Sequence, residues 1–154
     1  MFIRLSVVDP ELVAWLGHQS REQLRQAAAG AARLAVERTG IVDQRLDAAL
    51  TALKNAQYGY TAEQTGVEQF VDELDIIAWD LQDEAESGTS APDEVCSAAF
   101  RRARAASSVS FALGPNPLTA ALEAAYEAHA ATADLNAVRA AIGCPPSKSL
   151  SDHE

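Results

Sequence analysis

Six of the thirteen residues in DELDIIAWDLQDE, residues 72 to 84, are carboxylates, and none is basic. Carboxylates at this density can hold a divalent cation, dock a basic partner, or solvate one side of a helix. Asp72 with Asp75, and Asp83 with Glu86, are spaced i, i+3, so each pair shares a helix face. Magnesium asks for oxygen ligands that converge, usually together with substrate phosphates. The nearest pair elsewhere is Glu123 and Glu127, at i, i+4 on what reads as an alanine-rich surface.

Other reactive residues are sparse. His129 aligns with Leu118, Leu122 and Ala125 and reads as a half-buried histidine with its hydrogen bonds satisfied. His18 follows Gly17 where a helix should end, and His153 lies in the last residues. Cys96 and Cys144 stand far apart with no CxxC, so no disulfide framework is predicted. FRRARAA, residues 100 to 106, spreads its arginines around a helix beside strongly acidic chain, which argues against a nucleic-acid patch. HExxH, GxSxG, P-loop and GxGxxG patterns are missing.

All-α nucleotide pyrophosphatases of the MazG type hold Mg²⁺ with carboxylates at ExxE and ExxD spacing. Asp72-x-x-Asp75 and Asp83-x-x-Glu86 are similar to that spacing. The resemblance implies a carboxylate-held metal and a hydrolase, which is the alternative reading of the chain. That family spreads its carboxylates over more than one helix, whereas here both pairs lie on one. No catalytic residue, metal or cofactor is expected.

The acidic stretch is more informative as a helical wheel. At 100° per residue, Val67, Phe70, Val71, Leu74, Ile77, Ala78, Leu81 and Ala85 fall within a sector of about 120°, a buried stripe. Glu68, Asp72, Asp75, Asp83 and Glu86 fall opposite. Trp79 and Ile76 lie among these acids, away from the stripe. An aromatic anchor with a charged rim is the anatomy of a protein interface. Glu68 with Asp72, and Asp80 with Glu84, are like-charge pairs at i, i+4, each costing an isolated helix a few tenths of a kcal/mol. Basic groups are expected to offset them. Arg101, Arg102 and Arg104 are internal candidates, since an antiparallel pairing brings Arg104 level with Asp75. A basic protein is the external one.

Charge distribution agrees. The formal net charge is −10. Residues 61 to 90 contain nine acids and no base, while residues 1 to 60 contain seven bases and six acids. Nucleic acid and anionic membrane are poor partners for such a molecule, and a basic protein is a good one. The opening MFIRLSVVDP is too short and too interrupted for a signal-peptide core or a membrane span, which with the two unpaired cysteines predicts a cytoplasmic protein.

The elements that must position these residues are helical. Alanine supplies 32 of 154 residues. Asp9-Pro10, Ser20, Asp43, Thr61, Asn116-Pro117 and Asp134 are start signals; Gly17, Gly40, Gly88, Gly114 and Gly143 are stops. MFIRLSVV reads as an arm or a short helix. Thr61 opens the longest helix, predicted to Ser87 and about 39 Å long. It should form a long central hairpin with a helix from Pro92 to Leu113, with Ala99, Ala103, Ala106 and Ser110 at the seam.

The expected fold is a single-domain all-α bundle of five to seven helices over residues 1 to 143, with residues 144 to 154 a disordered tail. In size and charge the chain resembles bacterial immunity proteins and antitoxins, many of whose targets are basic nucleases. No motif assigns it to a family. The expected function is that of a small acidic interaction protein, not an enzyme. Its partner-binding residues are Trp79, Ile76, Glu68, Asp72, Asp75, Asp83 and Glu86. A structural subunit that forms a homodimer through the Trp79 face is a further alternative, as is cover of Trp79 by another helix of the chain.

Overall fold

Short polar side chains at the helix starts set the boundaries of this fold. The computed structural model describes residues 3–88 and 93–145. Among the described residues eight helices run in order: α1 (Leu5–Val8), α2 (Pro10–Gly17), α3 (Arg21–Thr39), α4 (Gln44–Lys54), α5 (Ala62–Glu86), α6 (Asp93–Ala112), α7 (Pro117–Thr132) and α8 (Leu135–Ile142). No strand occurs among the described residues. The count exceeds the expected seven because the opening apolar run is helical and buries Leu5.

Each cap satisfies a backbone N–H that the first turn leaves without a partner. Asp9 accepts from the Leu12 amide at 3.0 Å, with Pro10 at the first helical position. Ser20 and Gln23 form a reciprocal capping box. Thr61, Asn116 and Asp134 accept from the amides of Gln64, Thr119 and Ala137. Gly40 and Gly143 close α3 and α8 in the left-handed region, at φ 66° and 81°, where a Cβ would be strained.

The helices α3, α6 and α7 pack on one another and enclose the core. Their buried positions are mostly alanine, among them Ala28, Ala32, Ala106, Ala124 and Ala128. Small side chains let helix axes approach closely. The Ser108 hydroxyl, fully buried, donates to the Ala124 carbonyl at 2.8 Å and fastens α6 to α7. On the far side of α3, Gly30 lies under the Ala141 carbonyl so closely that a Cβ would not fit. Helix α8 therefore sits directly on α3.

A buried ion pair ties the two ends of the described chain together. Arg139 donates to both carboxylate oxygens of Asp9, at 2.7 and 2.8 Å, and also to the Pro145 carbonyl at 2.9 Å. Cys144 is buried beside it, and burial pushes its thiol pKa up. The sequence assigns Cys144 to a tail; the Arg139 guanidinium holds it in the fold instead. Residues 146–154 of that tail lie outside the described residues.

The long helix α5 packs on α4 and α6. Arg104 Nη2 donates to Asp75 Oδ1 at 2.6 Å, and the Cys96 thiol donates to the Leu81 carbonyl at 3.5 Å. Positions on α6 therefore rise as those on α5 fall. The predicted turn residues 89–92, with the start at Pro92, lie outside the described residues. Ala99, Ala103 and Ala106 are buried, and Ser110 is half-buried.

Asp9 offers a test of the end-to-end tie. Burial raises its pKa, but hydrogen bonds from Arg139 and the Leu12 amide outweigh this and hold it below the usual aspartate value. A carboxyl depressed in the folded state stabilises above its unfolded value of about 4 and loses that contribution as pH falls through the folded value. Asp9→Asn should therefore cost about 3 kcal/mol at neutral pH, because it leaves the buried Arg139 with only the half-exposed Glu11, at 3.7 Å, as counter-charge. Urea melts of parent and variant should differ most at pH 7 and converge below about pH 4. A gap independent of pH would show that the cap, and not the ion pair, carries the effect.

Candidate functional site

Helix α5 changes character halfway along its length. Its first half is covered: Val67 and Phe70 are buried, and the Arg45 guanidinium lies 4.8 Å from the Phe70 ring centroid. Arg45 also pairs with Asp43 and Glu73, and Glu73 is held below the usual glutamate range by it. Helix α4 begins at Gln44, so this cover ends near Glu73. One turn on, Ile77 is 51% exposed. The wheel places Ile77 correctly on the side of Phe70, yet the expectation that it is buried is overturned, since α4 does not extend that far. Leu74, Ala78, Leu81 and Ala85 are half-buried.

Trp79 is 72% exposed and Ile76 is 61% exposed. No helix among the described residues covers either. A cleft on one side of Trp79 is lined by Asp75, Ala78, Gln82, Cys96, Phe100 and Arg104. Another is lined by Asp72, Asp75, Ile76 and Asp80. Phe100, half exposed, stands across the first cleft as a second aromatic wall. Glu68, Asp72, Asp83 and Glu86 are exposed along the same helix. Six of the seven residues assigned to this face from sequence are thus exposed, and Asp75 is half-buried.

Asp75 differs from the other six. Arg104 holds it and, at 3.0 and 3.1 Å, both oxygens of Glu127. Glu127 is 1% exposed, so its expected place on a surface is overturned. A carboxylate so deep is stable only when paired. Arg4 supplies its second partner at 3.1 Å, bonds Glu123 as well, and lies 4.2 Å from the Tyr126 ring centroid. Three carboxylates here meet two guanidiniums, so the network keeps a formal charge of −1. Of the three arginines on α6 that the sequence offers to the acids, Arg104 makes an ion pair with one, and Arg45 of α4 takes Glu73.

The remaining candidates fall elsewhere. Asp83 and Glu86 stand on the exposed end of α5. Among the described residues, no group of three or more His, Cys, Asp or Glu side chains is placed to hold a metal ion. His129 is half-buried as expected, but its Nδ1 finds no hydrogen-bond partner among the described residues, so the expectation that it is satisfied fails. The sequence reading missed Phe100 as a wall of the site. The signal was available: the register that sets Asp75 beside Arg104 also sets Trp79 beside Phe100.

The network separates two kinds of ion pair. Arg104→Met should destabilise the fold by about 3 kcal/mol, since it strips a buried carboxylate of one partner. Asp75→Asn should cost under about 1 kcal/mol, because Asp75 is a third exposed and Arg104 keeps Glu127. Equal costs in chemical denaturation would show that Asp75, not Glu127, anchors Arg104. Comparison of the chain with protein-family models, with curated proteins and with solved structures finds no match to any of them.

Proposed function

We propose that this chain is a small acidic interaction protein that docks a basic protein partner through the outer face of α5. The observation that carries the reading is Trp79, 72% exposed on the acidic side of its helix with Ile76 beside it. Leaving a tryptophan in water forgoes several kcal/mol of burial, which a partner would recover. Asp72, Asp83, Glu86 and Glu68 would speed encounter and make it sensitive to salt, while Trp79 and Ile76 would supply short-range affinity. Asp75 belongs to the same face and also to the internal network, so it would position rather than attract.

On this reading α5 and α6 act as a long central hairpin whose distal half is the presenting surface. The function class is that of an immunity protein or antitoxin in the bacterial cytoplasm, not of an enzyme. Among the described residues, no helix is long and apolar enough to cross a membrane. A homodimer through the same face is disfavoured because it would set nine acids and no base of residues 61 to 90 against their own copy.

Trp79→Ala separates binding from folding. The variant should melt as the parent does, yet weaken the complex by about 2 kcal/mol or more, as truncation of an interface anchor does. Immobilised parent and variant chains, exposed to the proteins of the native cell, provide the comparison. A basic protein held by the parent, released by salt and lost by the variant supports the reading. An unfolded variant would make Trp79 a core residue. Identical retention by both chains would reduce the acidic stretch to a solvated surface.

A further inference from the structure

The exposed aromatic groups are not confined to α5. Phe100 is 50% exposed and Phe111 is 37% exposed. They are eleven residues apart, three turns, so they share one side of α6 with Arg104. Phe100 lines a cleft with Trp79 and Gln82; Phe111 lines another with Gln64 and Glu68. The first cleft lies between α5 and α6, the second reaches on to Asn116 and Thr119 at the start of α7, and the Arg104–Asp75 pair stands between the two. Taken together as one groove, the two clefts run from Gln64 to Gln82, about 27 Å along α5. Its α6 wall is aromatic. Its α5 wall is acidic, with Glu68 and Asp72 exposed along it.

We infer that this groove seats one amphipathic helix of the partner, with its apolar face on Phe100 and Trp79 and its basic flank along Glu68 and Asp72. This rests on the reading that α5 docks a basic protein, and it adds the form of the partner. The two clefts end to end, with the Arg104–Asp75 pair as a floor between them, span about 27 Å, the length of a helix of about eighteen residues. Helices seat in such grooves through anchors one or more turns apart. The two phenylalanines, about 16 Å apart along α6, offer anchor points three turns apart on the docked helix.

Charge selects among occupants. A second copy would bring its own acidic α5. Residues 146–154 of this chain contain one lysine against two acids and would be repelled by the same wall. A helix with lysine or arginine on its polar side meets acids along one wall and aromatic rings along the other. The −1 charge of the Arg4–Arg104 network adds to the attraction.

Three synthetic peptides of about eighteen residues test this against the full chain by calorimetry. One is a leucine–lysine helix with segregated faces, one has the same composition scrambled, and one carries glutamate for lysine. The segregated basic helix should bind at least about tenfold more tightly than the scrambled one, and the glutamate helix should not bind. Trp79→Ala and Phe100→Ser should each weaken the segregated peptide about tenfold while melting as the parent does. If Phe100→Ser melts early, Phe100→Leu is measured instead and must weaken only the segregated peptide. Loss of affinity in Trp79→Ala with none in the Phe100 variants overturns the groove and leaves docking on α5 intact. Equal binding of the segregated and scrambled peptides, or no binding of either, also overturns the groove. Parental affinity in both variants overturns the two readings together.

Discussion

Glu127 is a carboxylate almost without solvent, and the arrangement of the molecule follows from holding it. An unpaired charge at that depth would cost several kcal/mol, so two guanidiniums converge on it. Arg4 arrives from the start of the chain and Arg104 from the middle of α6. The first seats α1 against α7; the second fixes the rotation of α6 on α7. Arg104 Nη1 is spent on Glu127 and Nη2 goes to Asp75, while its buried Nε finds no partner among the described residues. The bond to Asp75 sets how α5 is turned. Trp79 lies one turn beyond Asp75 on nearly the same side of the helix, so clamping Asp75 toward α6 leaves Trp79 facing outward at the groove.

The alanine core imposes a second constraint. Closely approaching helices leave no volume for large side chains, and α3, α6 and α7 fill their shared interior with groups no larger than valine at most positions. Bulk is pushed to the margins. Trp15, Tyr58 and Tyr126 pack half-buried against the outside of the core. Beyond the reach of α4, α5 packs chiefly on α6, and no third helix among the described residues closes over its apolar side chains. Ile76, Ile77, Trp79 and Phe100 are exposed together for that reason. The acids that surround them keep such a surface in water and, on the proposed reading, attract a partner of opposite charge.

Local chemistry was readable from sequence and distant geometry was not. The caps at Asp9, Ser20, Thr61, Asn116 and Asp134 involve residues within three or four positions, so the sequence states them directly. The pairing of Asp75 with Arg104 followed from counting back through a turn between two helices. Ile77 departs from its expected burial because periodicity reveals which side of a helix is apolar, but not where the neighbouring helix stops. Glu127 departs from its expected place on a surface because one of its partners, Arg4, is more than a hundred residues away, and nothing near Glu127 in the sequence marks it as paired. The face around Trp79 was legible because an aromatic residue among acids breaks the pattern. Its second wall was hidden in a run of arginines and alanines, where Phe100 looked like one more helix residue.

The central claim is that Trp79 is open to solvent in the folded chain and stays so without a partner. Fluorescence of a Trp15→Phe variant reads that residue alone, since the chain has two tryptophans. The account predicts an emission maximum close to that of free tryptophan in water and ready quenching by acrylamide, both unchanged across a wide dilution series. A blue-shifted, shielded emission at every concentration would mean that the chain covers Trp79 itself. Shielding that disappears on dilution would mean that a second copy does, and either result would contradict the account.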